Sequence, residues 1–225
     1  MAFTSSRRFV DNYTSTRQQY DWNPISGYRD RALKSLEEAV ESIIPLVDNV
    51  IQYADEAKQK CKINTKLTIN ESAAIYLYTM KTSFYEKLNE TLRIENPQAL
   101  APWFDFLKLF ITALVKLPKL PSHPTTVWRG VANIKGSDFY DKDMFTWWSV
   151  NSCSLDASVA AIFTCEKGTL FCINTINGKD ISDYSSANKE EIEEKEIVLM
   201  PGTRLRVKTK TFDIKDFYVV HLEEW

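Results

Sequence analysis

Histidine is nearly absent from this chain: His123 and His221 are the two it has. That scarcity excludes a histidine-rich metal site. It also leaves few partners for a Ser-His or Cys-His nucleophile, His123 with Cys153 being the pairing still open. Cysteine is sparse too. Cys61, Cys153, Cys165 and Cys172 form no Cys-x-x-Cys, and a chain of 225 residues needs no disulfide staples, so reduced thiols and a cytoplasmic setting are expected. Neither sign of charge prevails, with 28 Lys and Arg against 30 Asp and Glu. This excludes a general nucleic-acid binder or a membrane-surface binder. No apolar stretch is expected to approach the ~20 residues needed to span a bilayer. The densest, Leu107 to Leu117, is broken by Lys108 and reads as a buried helix. Met1 to Asn12 carries Arg7 and Arg8 with no apolar run behind them, so no secretory signal is expected. There is no internal repeat and no low-complexity tract.

What is present is an ordinary globular composition, 44% apolar and 26% charged, in a length that fits one large domain or two small lobes. Residues 1–27 are polar and read as an extended arm closed by Pro24 and Gly27. Residues 28–118 read as a helical lobe. Leu33, Leu36, Ala39, Val40 and Ile43 recur at helical spacing, Pro45 ends or kinks that helix, and a second amphipathic stretch runs from Leu46 to Lys60. Thr68-x-x-Glu71 is a capping box, predicting a helix on to Arg93, and Leu100 to Leu117 predicts another. Three prolines between Pro118 and Pro124 read as a linker. Residues 124–225 then change texture. Strands are predicted over 125–131, 145–154, 169–175, 196–200, 204–208 and 217–222, with a short helix over 156–163. The fold class is α+β, a helical lobe and a mostly antiparallel β lobe.

Three short segments carry the chemistry. In Thr126-Val127-Trp128-Arg129-Gly130-Val131, strand alternation puts Arg129 on one face with Val127 and Val131. A charge between two valines needs a partner. It is either an internal carboxylate or an anionic ligand gripped by the planar guanidinium, with Gly130 leaving room for close approach. In the second segment Ser152 and Ser154 share one strand face, while Ser149, Asn151 and Cys153 share the other. Trp147 and Trp148 before them read as core. The third segment is Glu194-Lys195-Glu196-Ile197-Val198-Leu199-Met200-Pro201-Gly202. In a strand Glu194 and Glu196 point the same way, roughly 6–7 Å apart. Like charges that close raise each other's pKa unless something compensates, so the pair looks built to hold an electron-poor group.

Arg, then Ser-x-Ser, then Glu-x-Glu, each on or entering a strand, resembles the Arg-Ser-Glu signature of the clostridial and vertebrate arginine-modifying mono-ADP-ribosyltransferases. The resemblance covers most of residues 28–225. It includes a segment similar to that family's helical lobe: Leu67-Thr68, Glu71, Ala74-Ile75, Tyr78-Thr79, Tyr85, Leu88-Asn89 and Arg93. It implies a helical lobe packed on a two-sheet β core, NAD as substrate, no metal, and a monomer that modifies arginine on a target protein. The site it implies holds the nicotinamide end of NAD among Arg129, Gly130, Ser152 and Glu196. Arg129 would touch the ribose and phosphates, and Ser152 would orient Glu196 without being a nucleophile. Ser149 takes that place if the register shifts. Phe163 either stacks on nicotinamide, as an aromatic does in related toxins, or packs on the buried face of its own helix. Glu196 would stabilise the cation left when nicotinamide departs, and Glu194 would hold the acceptor guanidinium.

Two departures stand out. The family's central Thr of Ser-Thr-Ser is Cys153 here, and Pro201 lies five residues past Glu196 where vertebrate members often have four. Anchoring the register on Pro201 would put Ile197 in the catalytic place. The charge run from Lys189 to Glu194 reads as an acidic loop facing the target, with Tyr184 and Ile192 as contacts. The rival expectations are an NAD glycohydrolase and an inactive binding module of the same fold.

Overall fold

The computed structural model describes residues 23–121, 124–139, 144–164, 168–186, 195–214 and 217–225. Most of the expected N-terminal arm, residues 1–22, lies outside them, and so does His123. The described residues fall into two compact units. Residues 23–118 together with 181–186 form a helical unit, and Lys119–Asp180 together with 195–225 form a β unit.

Local signals start the helices. Ser35 opens α1 (Leu36–Val40) with a full capping box closed by Glu38, and Thr68 opens α3 (Ile69–Thr79) with the box closed by Glu71. Between them α2 (Val50–Lys60) starts after Asn49, whose φ of 59° lies in the left-handed region that Asn tolerates. The helix expected from Thr68 to Arg93 is two helices. The chain goes extended at Met80, and Thr82 caps α4 (Ser83–Ile94) by accepting from the Phe84 amide. Pro97 does not merely interrupt. It occupies the first turn of α5 (Pro97–Leu100), where its missing N–H costs nothing, and a 3-10 turn leads on into α6 (Phe104–Lys116).

This run, Pro97–Lys116, has the length and mean hydropathy of a membrane span, contrary to the expectation that no stretch reaches that size. It serves as the core helix of its unit. Phe106 and Phe110 stack at 5.6 Å, and Phe84 and Tyr78 pack on them. Glu71, fully buried beneath, is met by Lys116 at 2.6 Å.

The β unit holds β1 (Thr125–Ala132), β2 (Met144–Trp147), β3 (Asn151–Ser154), the short α7 (Ala157–Ile162), β4 (Gly168–Thr175), β5 (Lys179–Asp180), β6 (Glu196–Leu199), β7 (Thr203–Ile214) and β8 (Phe217–Glu224). Their order is β2-β7-β8-β4-β1-β3-β6-β5, antiparallel except for the parallel pair β4–β8. Hydrogen bonds join all eight into one sheet, but β1 meets β3 at a single residue pair, Trp128 with Ser154. Five strands lie on one side of that waist and three on the other. Val127, Val131, Phe171, Ile173, Val220 and Leu222 from the first set share one core with Cys153, Ile197 and Leu199 from the second.

The expected strand 145–154 is divided by the same waist. β2 pairs with β7, whereas β3 pairs with β1 and β6. The chain changes sides over residues 148–150, where Asn151 Nδ2 donates to the Ser149 carbonyl at 2.8 Å. Trp147, in edge-to-face contact with Phe171 at 5.5 Å, and the buried Trp148 are core residues as expected.

Candidate active site

Strand parity sets the site. β3 and β6 run antiparallel with Ser154 opposite Glu196 and Ser152 opposite Val198. Facing residues on paired strands project to the same side, so these four share one face. Cys153 and Ile197, opposite each other, point into the core instead. Ser152 Oγ donates to Glu196 Oε1 at 2.8 Å, a diagonal contact across the strand pair. Both side chains are buried, at 0% and 2% exposure. One oxygen of the carboxylate is therefore held by a neutral hydroxyl donor in a buried position.

The spacing to Pro201 is accounted for by the turn after β6. Thr203 N donates to the Met200 carbonyl at 3.2 Å, with Pro201 and Gly202 as the central residues and Gly202 at φ +88°. This is the type II geometry that Pro-Gly favours. Gly202 also donates from its amide to the Trp147 carbonyl at 2.7 Å. The turn begins one residue after β6 ends, so the five-residue spacing to Pro201 leaves Glu196 beside Ser152 and keeps Ile197 in the core. Ser149, the alternative serine, makes its side-chain contact with Asn151, at 3.4 Å.

Arg129 is 1% exposed. Its Nη1 donates to the Ser152 carbonyl at 2.8 Å. It shares a strand face with Val127 and Val131, whose side chains belong to the core. A buried guanidinium requires acceptors, and the carbonyl of the signature serine supplies one. Gly130 is explained in a similar way. A Cβ there would come within 2.0 Å of the Ala160 carbonyl oxygen, so the close approach that it permits is made by α7. Phe163 stands at the C-terminal cap of α7 and is buried.

Ser154 serves the next element rather than the carboxylate, since its Oγ accepts from the Asp156 amide at 3.0 Å. Asp156 in turn caps α7, its carboxyl held below the usual range by hydrogen bonds from the Ser158 side chain and amide. The Cys153 thiol is pushed up to about 12 by burial, a rise that the nearby Arg129 charge reduces. At that value it is an inert core side chain, and the Thr-to-Cys departure leaves the site face untouched. Glu194, Ile192 and the acidic residues 189–193 lie outside the described residues. Tyr184, expected as a target contact, is instead buried, and its hydroxyl accepts from Asn64 Nδ2 at 2.6 Å. Among the described residues, no group of three or more His, Cys, Asp or Glu is placed to hold a metal ion.

A protein-family model described as NAD:arginine ADP-ribosyltransferase matches residues 30–224. The chain belongs to this family. NAD is the substrate that goes with it. A comparison with curated proteins gives no match. Several solved ADP-ribosyltransferases have the same fold. Vis from Vibrio splendidus, in complex with agmatine, is 20% identical at a TM-score of 0.58, with 88% of this chain and 89% of that one covered. Exoenzyme S from Pseudomonas aeruginosa, in a complex with human 14-3-3 protein beta bound to carba-NAD, is 18% identical at 0.60, covering 84% and 88%. The eukaryotic mono-ADP-ribosyltransferase ART2.2 is 19% identical at 0.59, covering 84% and 83%.

The residues that the family signature brings together are Arg129, Ser152 and Glu196. Nothing in the sequence signalled the anchors on residues 181–186. Their partners Asn64 and Thr79 lie more than a hundred positions away, and pairs of that kind leave no periodicity to read.

Proposed function

We propose that this chain transfers ADP-ribose from NAD to the guanidinium of a protein arginine. The observation that carries this is the buried Ser152–Glu196 hydrogen bond of 2.8 Å, which fixes one carboxylate oxygen in place. Breaking the bond between nicotinamide N1 and ribose C1′ sends the bonding electrons to nicotinamide, which leaves neutral. Positive charge develops on C1′ and the ring oxygen, as in glycoside hydrolysis. A carboxylate already held beside C1′ and the 2′-hydroxyl lowers the energy of that state without reorganising. Arg129 holds the backbone of Ser152, and through it the hydroxyl that orients Glu196. A guanidine nitrogen then bonds to C1′ and loses its proton. Free arginine is a cation of pKa above 12 and a poor nucleophile, so the acceptor needs a base. By family resemblance that role falls to Glu194, with Glu rather than Gln at that position going with arginine as acceptor.

Agmatine, the small guanidine present in the Vis complex, is the natural probe. Nicotinamide release and ADP-ribosyl-agmatine formation from NAD are measured for the native chain, Glu196→Gln and Glu194→Gln. Native protein is expected to modify agmatine. Glu196→Gln is expected to lose about 10³-fold in both products, the scale of removing a preorganised electrostatic group. Glu194→Gln is expected to keep NAD hydrolysis and lose transfer. Free ADP-ribose as the sole native product would make the chain a glycohydrolase, and intact NAD would make it a binding module.

A further inference from the structure

Glu224 is a buried carboxylate outside the site, and it gathers a whole turn around itself. Its backbone is held in β8, opposite Leu205 of β7. Its Oε2 accepts from Thr175 Oγ1 at 2.6 Å and from the amides of Ile176 and Asn177 at 2.8 and 3.0 Å. Its Oε1 accepts from Asn177 Nδ2 at 2.8 Å. Thr175 Oγ1 accepts in turn from the Gly178 amide at 3.0 Å. Hydrogen bonds to a carboxylate are shorter and stronger than those between neutral groups. Thr and Asn side chains commonly close short turns by themselves. Here a carboxylate from another strand is added, and the β4–β5 turn is fastened to β8.

The turn matters for where it leads. Residues 176–178 carry the chain from β4, on the five-strand side of the waist, to β5, the outer strand of the three-strand side. Three residues reach about 10 Å at most, so the clasp sets where β5 begins. β5 then pairs with β6, Lys179 opposite Val198 and Asp180 opposite Ile197. Gly178 also lies against β6, since a Cβ there would come within 3.0 Å of Ile197 Cγ2. Ile197 follows Glu196 directly. Glu196 is thus held from both edges of its strand: Ser152 on β3 holds the side chain, and the clasped turn and β5 hold the backbone from the other edge. We infer that Glu224 and Thr175, with Asn177, are positioning residues for Glu196. This rests on the reading above, in which Glu196 stabilises the cation that develops as nicotinamide leaves. The clasp lies outside the set of Arg129, Ser152 and Glu196, so loosening it should leave NAD binding in place and slow the cleavage step. A displacement near 1 Å in a positioning group can cost about 10²-fold in rate, and a partial loosening less.

The test compares Glu224→Gln, which turns one acceptor oxygen into a donor, with Thr175→Val, which removes the hydroxyl at nearly constant volume, and Thr175→Ser, which keeps it. Thr175→Val leaves the bonds of Ile176 and Asn177 in place, so the test survives if Glu224→Gln fails to fold. Glu223→Gln is the control for loss of a charge at the end of β8, because Glu223 pairs with Arg206 instead, at 2.9 Å. Nicotinamide release from NAD in the presence of agmatine gives kcat and KM for NAD, per folded molecule, and amide exchange reports the strands. Glu224→Gln and Thr175→Val are expected to lower kcat about tenfold with KM for NAD unchanged, while Thr175→Ser and Glu223→Gln stay near native. Amides of residues 176–177, 179–180 and 197–198 should exchange faster, with those of β4 and β8 at native rates. Faster exchange throughout β4 and β8, with kcat per folded molecule unchanged, would assign Glu224 to overall stability alone and overturn the positioning role. If native protein cleaves NAD, Glu196→Gln does not, and kcat stays within about twofold in Glu224→Gln and Thr175→Val, the positioning role is wrong and the functional reading stands. If Glu196→Gln cleaves at the native rate, or native protein leaves NAD intact, that reading falls and the positioning role with it.

Discussion

At position 130 the missing side chain decides where α7 can sit. The Ala160 carbonyl would lie 2.0 Å from a Cβ at this position, with Thr164 Cγ2 at 3.1 Å. A backbone oxygen cannot move aside as a flexible side chain can, so Gly130→Ala must shift α7 or β1. The expected cost is about 2–3 kcal/mol of stability, the upper part of the range for overpacking. In a domain of this size that is roughly a 5–10 °C fall in Tm. Thermal and urea unfolding measure it, and a loss below about 0.5 kcal/mol would show that the contact relaxes freely. The residue scale is also where the sequence was most informative about the site. Ser152 and Glu196 were placed by motif order and strand parity, and they are hydrogen-bonded in the structure. The partner of Arg129 was not foreseeable. Local sequence showed a charge between valines but could not show that its acceptor would be a backbone carbonyl 23 positions away.

Elements whose ends are fixed by neighbours in sequence were readable. Thr68 and Glu71 form the box expected of Thr-x-x-Glu, and the Pro-Gly pair makes its turn after β6. Elements bounded by distant contacts were not. No Pro or Gly marks the end of α3, since Met80, Lys81 and Thr82 carry no breaker, and Ser186 is what occupies the freed carbonyl. The change of side after Trp147 is likewise held by contacts with the Pro201–Gly202 turn, which alternation within 145–154 cannot encode. The α3 cap also bears a pH-dependent load. Burial alone would raise the Glu71 pKa, but the Lys116 ammonium and the Thr68 amide outweigh it and hold the carboxyl below its usual value. A depressed folded pKa adds stability above the unfolded value, and that increment is lost as pH falls through the folded value. Glu71→Gln keeps a side chain that can serve the capping box but removes the charge. It is expected to cost about 1–2 kcal/mol at neutral pH, a cost that shrinks at acid pH as the native carboxyl takes up its proton. Urea midpoints at both pH values decide this, and an equal loss at both would mean that packing rather than charge is responsible.

On the scale of the whole molecule, the helical and β textures on either side of the proline linker were plain from the sequence. The waist in the sheet was not, because a two-sided core reads the same whether one hydrogen-bonded pair or several cross it. Only Trp128 and Ser154 pair between β1 and β3, and Arg129 adds its bond to the Ser152 carbonyl at the same place. β3, β6 and β5, and with them Ser152 and Glu196, are therefore joined to the other five strands by few backbone bonds and one guanidinium. Arg129→Lys keeps the charge but exchanges a planar fork for a single flexible ammonium, which suits a buried carbonyl poorly. The substitution is expected to open the three-strand side without unfolding the rest. Amides of residues 152–153 and 197–198 should exchange about tenfold faster or more, while those of β4 and β8 keep their native rates. NAD cleavage should fall in parallel, through kcat more than KM, since the loss acts on the placing of Glu196 rather than on binding. Uniformly faster exchange across both sides would assign Arg129 to global stability. Unchanged exchange with a raised KM for NAD would instead return it to the phosphate-gripping role that its family resemblance first implied.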